Sequence, residues 1–160
     1  MKNQGNCVQE KYAPGSICYS CGPANSKGLH IRSFENASLG TSALEATWTP
    51  EPHHEAFPGM LNGGIIGSIL DCHCNWTAAM HLMRTRNLEA PPCTVTANYK
   101  IDLKRPTPSK AQVILQSKVI DTQGDKVTVE ATLTADGKVC ATCVGVFVAV
   151  REGHPAYHRW

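Results

Sequence analysis

Charge imbalance is missing from this sequence: 15 Lys and Arg stand against 13 Asp and Glu, a formal net charge of +2. That is too balanced to argue for a nucleic-acid binder, and no nucleic-acid partner is expected. Long hydrophobic runs are missing too. No stretch reaches the ~18 apolar residues that cross a bilayer, and no early apolar segment resembles an export signal. The expectation is a cytoplasmic protein with no membrane partner. Repeats and low-complexity segments are also absent, and 160 residues, 42% of them hydrophobic, suit one domain with a real core.

Cysteine, by contrast, is plentiful, with eight residues. In a chain of this length with no export signal they do not read as a secreted disulfide framework. Cys18-Tyr-Ser-Cys21-Gly22 has the form of half a zinc knuckle. A structural zinc needs four ligands; the second pair would be Cys140 and Cys143, or Cys72 and Cys74. Cys140 and Cys143 lie three apart in an apparent strand and so point to opposite faces. Thiols in a tight turn and in a core are the preferred reading, and no metal or cofactor is expected.

Residues 1–17 carry no periodic pattern and read as a flexible arm, residues 18–151 as the folded domain, and 152–160 as a C-terminal tail. Segments 29–35 and 40–50 alternate like half-buried strands. Residues 50–60, with three prolines, read as a loop. Proline is then absent from Asn62 to about Arg86, where the apolar content is helical. Four further strands are readable at 93–104, 110–121, 125–135 and 137–151, with turns at Asp121–Asp125 and Asp136-Gly137. Two strands, one long helix and four meandering strands make an α+β pattern, in which a curved antiparallel sheet wraps the central helix.

The helix opens on LNGGIIGSILD (61–71). Gly64, Gly67, Ser68, Asp71, Asn75 and Ala78 share one face at spacings of three and four. Such a small, polar stripe admits a second helix or a ligand. Asn62 is placed to cap the helix. Glycine costs about 1 kcal/mol relative to alanine inside a helix, and a buried Asp71 needs a partner. Both oddities have one explanation: the amides of Gly63 and Gly64 hold an oxyanion, while Asp71 activates water or attacks directly. Gly64 and Asp71 are seven residues apart, about 10 Å along the axis, too far to act on one carbonyl. Two antiparallel copies can bring them together, so the reading implies a homodimer, or a dimer of dimers, with shared sites.

FPGMLNGGIIGSILD (57–71), VTANYKIDLKRPTP (95–108) and CYSCGPANSKGLHIR (18–32) together resemble the hotdog-fold acyl-CoA thioesterases of the PaaI-like group, the last through a C-x-x-C-G-x-x-N-x-x-G-L segment. The resemblance implies a hotdog fold and hydrolysis of an acyl-CoA to free acid and coenzyme A. The family motif is His-Gly-Gly with an acid nine positions after the histidine. Gly63, Gly64 and Asp71 match it, Thr96 matches a threonine that lines the site, and Asn62 replaces the histidine. Asparagine can donate a hydrogen bond but moves no proton near neutral pH. His54, Ser68, Asn75, Lys100, Lys104 and Arg105 are the candidates for binding substrate, the cations for coenzyme A phosphates; Lys110, Arg84 and Arg86 are weaker ones. Trp76, Met80 and Met83 read as core. The alternative function is a hotdog protein that binds acyl-CoA without turnover.

Overall fold

The computed structural model describes residues 6–160. The elements are α1 (Val8–Tyr12), β1 (Ser33–Glu35), β2 (Leu44–Trp48), β3 (Glu55–Phe57), β4 (Met60–Leu61), α2 (Gly63–Thr85), β5 (Thr94–Leu103), β6 (Val113–Gln123), β7 (Lys126–Ala135) and β8 (Lys138–Ala149). Six strands form one antiparallel sheet in the order β1-β2-β6-β7-β8-β5, and β3 and β4 form a separate small hairpin. Helix α2 lies on β5, β6, β7 and β8. Ile69, Leu70, Trp76, Met80 and Leu82 of this helix are almost completely buried in the core, each stabilising the fold by about 1.5–3 kcal/mol.

The ends of α2 follow from local chemistry. Asn62 caps its first turn. At the far end Asn87 takes a left-handed conformation (φ 53°) and the Leu88 N–H reaches back to Met83 O at 2.8 Å, which closes the last turn. Asp136 and Gly137 both have positive φ, as a tight two-residue hairpin requires.

Three expectations are corrected. Residues 1–5 lie outside the described residues, but the rest of the expected arm is packed: Cys7, Val8, Gln9 and Ala13 are buried. The Gln9 side chain donates to Ser33 Oγ at 3.0 Å and accepts the Ser33 N–H at 2.8 Å, and Ser33 Oγ in turn meets His73 Nδ1 at 2.8 Å. A buried polar chain with its partners satisfied orders α1; burial pushes the His73 pKa down to about 4, so the ring is neutral within it. Second, the strand expected over 29–35 pairs only at Ser33–Glu35. Leu29 and Ile31 are buried as their alternation indicates, but their N–H groups go to Tyr19 O and Ser20 O, not to a strand. Third, the 50–60 loop contains a single 3-10 turn at Pro52–His54 and the β3–β4 hairpin. Leu61 N–H bonds to Thr107 O, and Ser109 N–H to Gly59 O, which ties the approach to α2 onto the Arg105–Pro108 turn.

Candidate active site

Helix α2 and edge strand β5 run side by side in opposite senses. A Cβ at Gly63 would lie 3.2 Å from Leu103 Cδ1, and one at Gly67 would lie 3.8 Å from the Tyr99 hydroxyl. Further along, Thr96 Oγ1 donates to Asp71 Oδ1 at 2.6 Å, and Asn75 Nδ2 donates to Thr94 O at 3.3 Å. The small-residue stripe therefore faces β5. Strict alternation would turn either Thr96 or Tyr99 away. Both face the helix because the register with β8 shifts between Thr96 and Asn98, a bulge that re-aims the side chains beyond it.

Asp71 is half-buried, and burial pushes its carboxyl pKa up. The Thr96 hydrogen bond pulls it down, Cys18 pushes it up, and Arg159 pulls it down. Arg159 arrives from the C-terminal tail: its Nη1 donates to Thr94 O at 3.1 Å. The tail is held there by Trp160, whose ring stacks on Trp76 at 4.6 Å and whose Nε1 donates to Pro91 O at 3.2 Å. Tyr99, Arg159 and Cys18 are not among the site residues the sequence singles out. Only folding brings them to Asp71: the sequence marks Cys18 as half of a zinc knuckle and Tyr99 only within a longer matched segment, and nothing marks Arg159.

Asn62 Oδ1 accepts the N–H of Gly64 at 2.7 Å and of Ile65 at 3.2 Å. This corrects the expectation for Gly64, whose amide is taken by the cap and is not free for an oxyanion. Among the described residues the Gly63 N–H has no protein partner. The cap also orients Asn62: with Oδ1 turned to the helix, Nδ2 is a donor left over for something else.

The binding candidates separate. His54 is buried against Trp48; its Nδ1 accepts the Glu51 N–H at 2.9 Å and its backbone O accepts the Asn62 N–H at 2.9 Å. Its burial and its bond to Asn62 give it a supporting place under the helix start, not the substrate-binding one expected. Asn75 is also buried, where it ties α2 to β5, and its Oδ1 has no partner among the described residues. Ser68 is half-buried beside Gly67. Lys104 and Arg105 are exposed just beyond Leu103, at the α2 N-terminal end. Lys100 is paired with Asp102 at 3.4 Å, both between the β5 residues that face α2. Arg84 is held by Glu35 and Thr41 O, and Arg86 by Asp125 at 2.8 Å, so neither is available for a phosphate. Met80 is core, as expected.

The Thr96 hydrogen bond to Asp71 has a testable effect. It favours the ionised Asp71, so Thr96→Val raises the Asp71 pKa. If the carboxylate is the active form, the acid limb of kcat/KM moves to higher pH, and Thr96→Ser restores it. A pH profile unchanged in Thr96→Val would remove Asp71 from the rate law or Thr96 from Asp71.

No family model and no curated protein matches the sequence. Solved structures do. A thioesterase superfamily protein from Shewanella loihica PV-4 is 29% identical, with a TM-score of 0.64 over 81% of this chain and 98% of that one. The PaaI protein of the E. coli phenylacetic acid degradation operon is 14% identical, with a TM-score of 0.64 over 77% and 81%. A thioesterase from Thermus thermophilus, complexed with coenzyme A and zinc, is 18% identical, with a TM-score of 0.56 over 71% and 83%. Another thioesterase superfamily protein, 23% identical, is spanned over only 61% of its length. A six-stranded antiparallel sheet carrying one long helix gives this chain the hotdog fold, and makes it similar to solved thioesterase superfamily structures that include PaaI.

Proposed function

We propose that the protein hydrolyses an acyl-CoA thioester, at sites each built by two copies of the chain. The observation that carries this reading is Asp71, a half-buried carboxyl raised by burial and held by Thr96 on the glycine-bearing face of α2 that meets β5. Burial moves a carboxyl toward the range useful for a general base. Water attacks the carbonyl carbon as Asp71 takes its proton. The oxyanion is held by Gly63 N–H and Asn62 Nδ2 at the positive end of α2. Collapse expels the coenzyme A thiolate, which takes the proton back. The coenzyme A bound by the Thermus protein supports the choice of thiol, and exposed Lys104 and Arg105 at the same end of α2 suit its phosphates. Asp71 as the nucleophile, through a mixed anhydride, fits the same groups. No helix among the described residues is long and apolar enough to cross a membrane, and a cytoplasmic setting suits eight free thiols.

Sharing between copies follows from the helix and the sheet edge. Gly63 and Asp71 belong to one continuous α2, about 12 Å apart along its axis. Strand β5 is a ten-residue edge with Tyr99 and Leu103 exposed, the kind of edge that another strand covers. Pairing it with β5 of a second copy sets the Gly63 end of one α2 toward Asp71 of the other. Release of coenzyme A from short, long and aromatic acyl-CoAs tests the reaction; binding without release would leave the non-catalytic alternative. Mixing tests the sharing. Asp71→Asn and Asn62→Asp, each nearly inactive alone, should recover about a quarter of wild-type activity when refolded together, because half the dimers are mixed and each has one intact site. No recovery, with mixed dimers shown by mass, would place each site within one chain.

A further inference from the structure

The Cys18–Gly22 turn does not end in an ordinary core contact. Its two thiols meet a third, Cys72, which α2 presents 54 residues later. The three Sγ atoms lie within 4.8 Å of one another, and Cys18 and Cys72 are 3.6 Å apart. Thiolates around a tetrahedral zinc, at Zn–S of about 2.3 Å, are separated by about 3.8 Å. Cys18 and Cys72 are therefore already at the spacing an ion requires, and Cys21 Sγ lies within 4.8 Å of both. A disulfide would use two of these thiols and leave the third without a role; one ion uses all three.

The turn is wound for this arrangement. Gly22 N–H bonds to Cys18 O at 2.8 Å. A Cβ at Gly22 would stand 2.4 Å from Cys18 N and from Ser16 O, so no other residue fits without opening the turn. The N–H groups of Leu29 and Ile31 fasten its outer side. Trp76 Nε1, one turn beyond Cys72, donates to Cys21 Sγ at 3.4 Å, the kind of outer hydrogen bond that orients a metal-bound thiolate. Cys21 and Cys72 are buried and Cys18 is half-exposed, which leaves a way in for an ion.

We infer that Cys18, Cys21 and Cys72 form a zinc site that staples the N-terminal turn to α2 beside Asp71. This rests on the thiol geometry and is independent of the thioester reading. On binding, three S–H protons leave to solvent, three S–Zn bonds form, and water completes the tetrahedron. The inference departs from the sequence reading in two ways. The sequence leads to no expectation of a metal, and the pairing of Cys72 with Cys74 does not form: Cys74 sits against Cys143 on β8.

The test uses untagged full-length protein prepared without chelators. Elemental analysis should find about one zinc per chain. Cobalt(II) exchanged into the site should give the intense visible bands of a tetrahedral ion together with thiolate charge-transfer bands. Cys18→Ser and Cys72→Ser should lose both, while Cys93→Ser, which alters a buried cysteine outside the cluster, should keep them. Wild-type protein with only trace metal and no cobalt–thiolate band would overturn the site without reliance on any variant folding. So would bands that persist in folded Cys18→Ser, or a disulfide among the three residues in peptide maps of the anaerobically purified protein.

Discussion

Asp71→Asn is expected to lower kcat by about 10²-fold or more, the scale of a lost general base, without lowering the melting temperature at neutral pH. The two halves of this result have one cause. Burial raises the folded-state pKa of Asp71 above its unfolded value. A carboxyl raised in this way binds its proton more tightly in the folded state, so its contribution to stability is fully present below the unfolded pKa. It is lost as pH rises through the folded pKa, and at neutral pH the ionised group works against the fold. Asparagine has the same shape and keeps an oxygen for the Thr96 hydroxyl, but it carries no charge to desolvate. The variant should therefore be at least as stable as wild type at pH 7, and the stability difference should shrink in acid. Turnover and melting temperature measured on the same preparation decide the matter. Wild-type turnover would show that Asp71 is structural. A melting temperature well below wild type would show that the charge, and not the shape, holds this part of α2. A single turnover in heavy-oxygen water tests the nucleophile role: label found on Asp71 shows a mixed anhydride opened by water at the Asp71 carbonyl, an outcome that a general base cannot give.

Asn62→Asp is expected to cost about 10²–10³ in kcat, the usual effect of losing one oxyanion donor, with stability kept. The sequence poses capping and donation as alternatives for Asn62; the geometry lets one side chain do both, through Oδ1 to Gly64 and Ile65 and through Nδ2 to a substrate oxygen. Aspartate keeps the cap and adds a negative charge at a helix N-terminus, which is favourable to the fold. It removes the Nδ2 donor and puts that charge beside a developing oxyanion. Asn62→Ser keeps the cap with neither an amide nor a charge, so its turnover should fall between wild type and Asn62→Asp. Asn62→Ala should lose the donor and also about 1 kcal/mol of cap. Unchanged turnover in Asn62→Asp would end the donor role. Because the cap already occupies the Gly64 amide, the oxyanion would then depend on Gly63 alone.

What the sequence determined by itself was whatever neighbouring residues decide among themselves. The absence of proline from Asn62 to Arg86 marks α2 nearly to the residue, since a helix depends on an unbroken local ladder. Asp136-Gly137 marks a hairpin because both residues tolerate positive φ. Asp71 stood out because an acid within an apolar helix has a cost that its neighbours do not offset, and the match of Gly63, Asp71 and Thr96 to a known motif pointed to residues that lie along the seam between α2 and β5. Tertiary structure alone decided which partners these groups meet. The alternation at Leu29 and Ile31 correctly signals burial, but a period of two says nothing of whether a strand or the Cys18–Gly22 turn accepts the N–H groups. The bulge that turns both Thr96 and Tyr99 toward α2, the return of Arg159 to Thr94, and the meeting of Cys72 with Cys18 depend on contacts between segments far apart in the chain. Periodicity records which face of an element leaves water; the atoms waiting on the other side are chosen by the packing of the whole fold.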